Sequence, residues 1–242
     1  MLSNDQLKQY NEKGYFILES LFSVDEMTEL RKRIDYFDAE SEKDLMTSGQ
    51  SFNRIPNQIN FTVMLNQKDP YIRNFACQDK FVNITTSILG PDVMLYFDQS
   101  VYKRPEANRD FPWHQDNGYI PIDPEHYITC WLALEDATVE NGTIWVLPET
   151  HKQGVVEHQK TEIGYQCYFG DDPGIPVPLK KGSMAVFSSL LFHRSTPNLS
   201  QSTRKGYILQ YAPSYAKHGV TGEPFDNGPV IAQGGKSVYV PS

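Results

Sequence analysis

The sequence is short of cysteine, of positive charge and of uninterrupted apolar runs, and each shortage removes a class of answer. Its three cysteines, Cys77, Cys130 and Cys167, stand far apart and form no CxxC pair. An odd, sparse set of this kind reads as free thiols in a reducing compartment, with neither a disulfide framework nor a cysteine-bound zinc. Lys and Arg number 22 against 30 Asp and Glu, a formal net charge of -8, and the pI is about 5.2. Without a basic total or a basic run, nucleic acid and anionic membrane surfaces are not expected as partners. No stretch approaches the ~18 apolar residues of a membrane-spanning helix, and the polar opening from Met1 to Asn11 has no apolar signal core. The expected location is cytoplasmic.

What the chain does have is length and aromatic rings. At 242 residues with 12% aromatics and a mean hydropathy of -0.49, it is a folded domain that needs no staple. Residues 4–13 read as a short helix capped by Ser3 or Asn4 and stopped by Gly14. Tyr15–Leu18 follows as a short strand. Ser23-Val24-Asp25-Glu26 is a capping box opening a helix, with Met27, Leu30, Ile34 and Phe37 at helical spacing, that runs to about Glu40. Residues 41–60 lose periodicity and read as a long loop, a candidate lid. A second helical stretch runs from about Asp69 to Leu89 and stops at Gly90-Pro91.

From Val93 the pattern changes to strands: 93–97, 100–102, 127–134, 143–147, 183–193 and 204–211, with an irregular Pro- and Gly-rich excursion over 148–178. Helices first and strands afterwards predict a mainly β fold with flanking helices (α+β), a sandwich or jelly roll. No repeat or linker divides it. The expectation is one domain over 1–242, with a helical flank about 1–92, a jelly-roll core about 93–215 and a C-terminal tail 216–242.

The chemistry gathers at Phe111-Pro112-Trp113-His114-Gln115-Asp116. In an extended backbone His114 and Asp116, two apart, share a face. An imidazole beside a carboxylate is two thirds of the two-His-one-carboxylate set that holds non-haem Fe(II) with positions left open. Alone this is weak, since a surface loop with a satisfied His would look the same. Downstream, two strands flank the turn-forming run Thr196 to Ser200. A hairpin centred between Asn198 and Leu199 sets His193 opposite Arg204 on one face. Fe(II) on His114, Asp116 and His193 keeps three positions. A 2-oxo acid takes two of them, with its far carboxylate held by the Arg204 fork, and O2 takes the third.

These residues give the chain a resemblance. It looks like a member of the phytanoyl-CoA dioxygenase-like (PhyH) family of Fe(II)/2-oxoglutarate-dependent oxygenases. The likeness covers most of its length: Tyr10-Asn11-Glu12-Lys13-Gly14-Tyr15-Phe16, Lys103-Arg104-Pro105, Trp113-His114-Gln115-Asp116, Trp131-Leu132-Ala133-Leu134, Glu140-Asn141-Gly142 and Phe192-His193-Arg194-Ser195 with Arg204. One departure is Glu149-Thr150-His151, where the family more often has Gly-Ser-His. The resemblance implies a double-stranded β-helix (cupin-like) fold, iron on His114, Asp116 and His193, and Arg204 on the distal carboxylate of 2-oxoglutarate. It also implies cosubstrate contacts from Gln99, Trp131 and Ser195. The implied reaction is decarboxylation of 2-oxoglutarate to succinate and CO2 coupled to hydroxylation of an unactivated C–H bond. Similar halogenases carry a small residue at the position of Asp116, so the carboxylate favours hydroxylation.

The substrate is expected to be a small molecule, of metabolic or natural-product type. Phe111, Trp113, Asn117 and Tyr119 are candidate pocket residues, although aromatic residues so spaced also simply pack. Arg54, Lys103, Arg104 and Arg109 are the cations near the presumed mouth, too few to decide whether the substrate is a coenzyme A thioester. His151 and His158 read as structural rather than as a second metal site, and His126 and His218 as surface residues. Two other functions remain: the same cofactors with desaturation, epoxidation, cyclisation or stereoinversion as outcome, and a catalytically silent jelly-roll binding protein. Oligomeric state is not readable.

Overall fold

In the computed structural model, which describes residues 2–241, two antiparallel sheets face each other and helices cover the outer side of the larger one. The larger sheet runs in the order Tyr15–Leu18, Met184–Ser188, Ile128–Ala133, Arg204–Pro213, Val93–Lys103. The far edge of the 11-residue Val93–Lys103 strand is shared by Ile59–Val63 and Val230–Gln233. The smaller sheet is Ile175–Val177, Ile144–Leu147, Phe192–Ser195, Phe111–His114. This is the expected double-stranded β-helix.

Period-two alternation sorts the larger sheet's side chains between two environments. Ile128, Cys130 and Leu132, with Tyr207, Leu209 and Tyr211, point outward into the main core with Leu30, Ile34 and Phe81 from the helices. Their in-between neighbours Thr129, Trp131, Ile208 and Gln210 point inward to the space between the sheets. The helix Asn4–Lys13 starts on a Ser3/Gln6 capping box and ends at Gly14, whose φ of 86° suits glycine.

Several expectations are corrected. The helix opened by Ser23 and Glu26 continues to Ser48. Its last two turns carry one core residue, Leu45, so apolar periodicity ends there although no breaker precedes Gly49. The expected lid over 41–60 therefore shrinks to residues 49–58, since Ile59–Val63 is a strand. The 69–89 stretch is two helices, Pro70–Ala76 and Asp79–Leu89. Both bury residues in the same core (Ile72, Phe75, Phe81, Ile84), so the apolar pattern runs through the break. Part of the supposed tail, Val230–Gln233, is a strand on the larger sheet. The expected strand over 183–193 is two strands, Met184–Ser188 and Phe192–Ser195, one in each sheet.

The hairpin placing His193 opposite Arg204 does not form. His193 pairs with His114 and Val146 in the smaller sheet, and Arg204 pairs with Lys103 in the larger. Residues 196–203 cross between the sheets, pinned by Asn198, whose amide donates to Lys103 O and Ser202 O. His193 and Arg204 share a cavity because the two sheets face each other.

Candidate metal centre and cosubstrate pocket

His114 ends the edge strand Phe111–His114, and Asp116 opens the 3-10 turn Asp116–Gly118 directly after it. His193 lies across the ladder from His114, with ring centroids 4.1 Å apart. Asp116 Oδ1 stands 3.9 Å from His114 Nε2 and 3.5 Å from His193 Nε2. One donor atom from each residue lies within 4.8 Å of the other two, and among the described residues no other three His, Cys, Asp or Glu side chains converge so closely.

The other atoms of the three side chains are committed elsewhere. His114 Nδ1 is 2.8 Å from Pro112 O and His193 Nδ1 is 3.0 Å from Leu191 O. A carbonyl oxygen only accepts, so each Nδ1 carries the proton and each Nε2 keeps a lone pair for a metal. Burial, then the neighbouring His193, holds the His114 pKa well below its ordinary value, which keeps the imidazole neutral and able to ligate. Asp116 Oδ2 accepts a short hydrogen bond from Thr129 Oγ1, to which Gln210 Nε2 also donates at 3.3 Å, leaving Oδ1 toward the imidazoles. Gln115, between the ligands, donates to Gly154 O and Leu190 O and accepts from Val156 N–H, while its own N–H donates to His158 Nε2. His158 is therefore structural. Two imidazoles and one carboxylate with an open side suit non-haem Fe(II).

The three donors line a cavity of about 410 Å³ whose wall also carries Arg204. Arg204 is 2% exposed, and its Nε and Nη1 have no hydrogen-bond partner among the described residues. Burial draws its pKa from 12.5 down to about 10, so it remains a cation at neutral pH. A buried guanidinium with two idle donors calls for an anion, and a carboxylate is the matching fork. The Trp131 ring underlies it, 5.2 Å from Cζ. Gly206 makes room, since a Cβ there would lie 2.5 Å from the Trp131 ring.

Of the residues singled out in the sequence, Gln99, Trp131, Ser195, Phe111 and Tyr119 line this cavity with His114, Asp116, His193 and Arg204. Trp113 and Asn117 do not. A register shift between His193 and Ser195, at the Pro112-bearing edge, turns Phe111 onto the face of His114. Trp113 points outward, 4.9 Å from the Arg194 guanidinium. Asn117 is buried and donates to Glu125 O. His126 is half-buried rather than superficial, its Nε2 hydrogen-bonded with Tyr10 Oη at 2.7 Å, and His218 accepts from the amides of Val220 and Thr221 in its own turn. Thr129, Gln210 and Gly206 were missed, and Lys103 was read only as a cation near the presumed mouth. The first three share the inward row of Trp131 and Arg204, so alternation carried their signal. Lys103, fully buried, donates to Ser195 O, Ser195 Oγ and Thr196 O and carries no signal beyond its charge.

Comparison with known proteins agrees with this geometry. The sequence model of the phytanoyl-CoA dioxygenase (PhyH) family matches residues 10–206. A phytanoyl-CoA dioxygenase of Arabidopsis thaliana is 26% identical, covering 88% of this chain and 89% of that protein. A methylphosphonate hydroxylase of Gimesia maris is 28% identical over 87% of this chain and 80% of its own. Among solved structures, the non-haem α-ketoglutarate-dependent carbocyclase SnoK from nogalamycin biosynthesis superposes with a TM-score of 0.75 at 20% identity, covering 95% of this chain and 96% of its own. The epimerase SnoN, in complex with Fe3+, α-ketoglutarate and a nogalamycin ligand, gives 0.74 at 16% identity over 93% and 97%.

Proposed function

The chain belongs to the phytanoyl-CoA dioxygenase family, whose enzymes are iron- and 2-oxoglutarate-dependent dioxygenases, and from that premise we propose that it hydroxylates an unactivated C–H bond of a small molecule. His114, Asp116 and His193 are the iron ligands in this reading. The observation that carries it is the pairing, within one cavity, of an open three-donor set with a buried guanidinium lacking a partner. Fe(II), 2-oxoglutarate and O2 supply the oxidising power for C–H cleavage, with succinate and CO2 as co-products.

The chain's own residues do the positioning. Arg204 binds the distal carboxylate, with Trp131 beneath it. Ser195 assists: its Oγ accepts from Lys103 Nζ at 3.2 Å, which leaves its own proton free to donate. Gln99 contacts the cosubstrate from the adjoining strand. Thr129 holds Asp116 as ligand, and that carboxylate denies the metal the extra position a halogenase gives to chloride. Enclosure between the sheets keeps water from the reacting atoms. Among the described residues no helix is long and apolar enough to cross a membrane, and the free thiols suit a reducing, cytoplasmic setting. The test is anaerobic addition of Fe(II), then 2-oxoglutarate, to metal-free protein. A visible metal-to-ligand charge-transfer band should appear and should be lost in His193→Ala; folded wild-type protein without the band would sink the reading.

A further inference from the structure

The outer half of the cavity specifies a substrate class, an inference that rests on the cofactor reading above. From the metal ligands outward, three rings from three separate chain segments form a cradle. Tyr119 stands 5.5 Å from the His114 ring, Tyr165 is 5.2 Å from Tyr119, and Phe52 is 4.8 Å from Tyr165. Neither tyrosine is loosely placed. The Tyr165 amide donates to Tyr119 Oη at 3.2 Å, and at Gly164, where φ is +79°, a Cβ would lie 2.6 Å from that same oxygen. Phe61 and Ile120 continue the apolar wall.

Charge is what this wall withholds. Its two cations are Arg204, assigned to the cosubstrate, and Arg194. Arg194 has its charge countered already: Nη1 donates to Asp110 at 3.1 Å and Nη2 to Pro173 O at 3.3 Å, and the guanidinium lies against Trp113 and Trp145, with Nε alone left without a partner among the described residues. The cations that might have received phosphates are likewise committed. Lys103 is sealed on the Ser195 and Thr196 oxygens, Arg104 pairs with Asp38 and Glu42, Arg54 binds Ser41 and Asn60, and Arg109 pairs with Glu162. Lys160 lies over the outer Phe52 ring, beyond the cavity wall. An anionic substrate would enter this wall without a counter-charge, and an unpaired buried charge is strongly disfavoured.

We propose that the enzyme selects an uncharged, ring-bearing apolar substrate that packs on the Phe52–Tyr119–Tyr165 cradle, and that it rejects coenzyme A thioesters, free carboxylates and phosphonates. Offset and edge-on packing against a fixed set of rings favours a flat or cyclic body over a flexible chain.

The experiment uses a matched pair of fluorescent probes, methyl 2-naphthoate and 2-naphthoate, with lauroyl-CoA as a third ligand. Binding is titrated anaerobically to protein loaded with Mn(II) and saturating 2-oxoglutarate, so that Arg204 is occupied. The ester should bind at least about tenfold more tightly than the carboxylate, and lauroyl-CoA should gain nothing from its nucleotide. Tyr165→Ala and the gentler Phe52→Leu should weaken the ester several-fold while 2-oxoglutarate affinity, measured by calorimetry, stays unchanged. Equal or reversed preference, no binding by the ester, or ester binding indifferent to both substitutions overturns the proposal. Failure of 2-oxoglutarate to bind in the calorimeter is a separate outcome that overturns the cofactor reading; the probe preference is then read on the metal-free protein.

Discussion

Lys103 and Arg204 sit opposite each other on paired strands, and both are buried cations, yet they are in contrasting states. Lys103 is turned toward the crossing between the sheets, where three protein oxygens take its protons. Arg204 is turned into the cavity with two nitrogens idle. The same division runs through the histidines. His158 has both ring nitrogens engaged, to Val156 O and to the Gln115 amide, whereas His114 and His193 commit only Nδ1 to a carbonyl. Lys103 and His158 are satisfied within the chain and belong to the framework, whereas the idle nitrogens of Arg204, His114 and His193 sit on the cavity wall.

The sharpest way to break this comparison is to neutralise each cation in turn. Arg204→Met should weaken 2-oxoglutarate binding by about a hundredfold or more, while leaving the ligand-free melting temperature unchanged or raised, because an unpaired buried charge has been removed. Lys103→Met should do the reverse in emphasis. Loss of its three bonds should cost about 2 kcal/mol, or roughly 4–8 °C in a protein of this size, with a smaller effect on 2-oxoglutarate through Ser195. Calorimetry and thermal melting on both variants decide it; two equally destabilised variants would erase the distinction.

A more local effect is expected at Gly206. Alanine there meets the Trp131 ring at 2.5 Å, so Gly206→Ala should raise the KM for 2-oxoglutarate about tenfold at near-wild-type kcat, by displacing the ring beneath Arg204. An unchanged KM would mean that Trp131 merely fills space.

The smallest effect concerns the engaged imidazole of His126, whose pKa burial, and then His151, holds below the ordinary value. The unfolded chain then binds more protons than the native one as pH falls below about 6.5, the ordinary histidine value. The contribution of His126 is complete above that pH and is lost as pH falls toward the native pKa. His126→Gln should therefore flatten the acid limb of stability below about pH 6.5, by less than about 1.4 kcal/mol per pH unit, the one-proton ceiling. Urea unfolding at several pH values measures it, and parallel limbs would count against the assignment.

How much of this was legible depends on how local each cause is. Ser23 and Glu26 announced their helix because the capping box closes within four residues. The His114/Asp116 spacing and the inward row of Trp131, Thr129, Arg204 and Gln210 likewise follow from alternation along single strands. The partnership of His193 with Arg204 was recovered for an incorrect reason: the cavity joins them across two sheets, and no hairpin exists. Sequence spacing cannot distinguish strands that pair from strands that face each other, since both put the residues on a common side. Trp113 was misplaced because it neighbours His114 and so faces the other way by plain alternation, while Phe111 reaches the cavity only through the register shift at the Pro112 edge. The burial of Lys103 was unreadable because its partners, two backbone oxygens and the Ser195 hydroxyl, lie about 90 positions away.

The crossing at residues 196–203 has one more consequence. His114 and His193 are cross-strand neighbours in the smaller sheet, with Asp116 just beyond its edge, whereas Arg204 and Trp131 belong to the other sheet. In the proposed reading the two imidazoles need one pair of adjacent strands in register, while Asp116, held by Thr129 of the other sheet, and the Arg204 clamp both need the two sheets face to face. Agitation that parts the sheets before it unzips the strands would loosen cosubstrate and carboxylate together while leaving the imidazole pair intact, so the intact sandwich acts as its own safety catch.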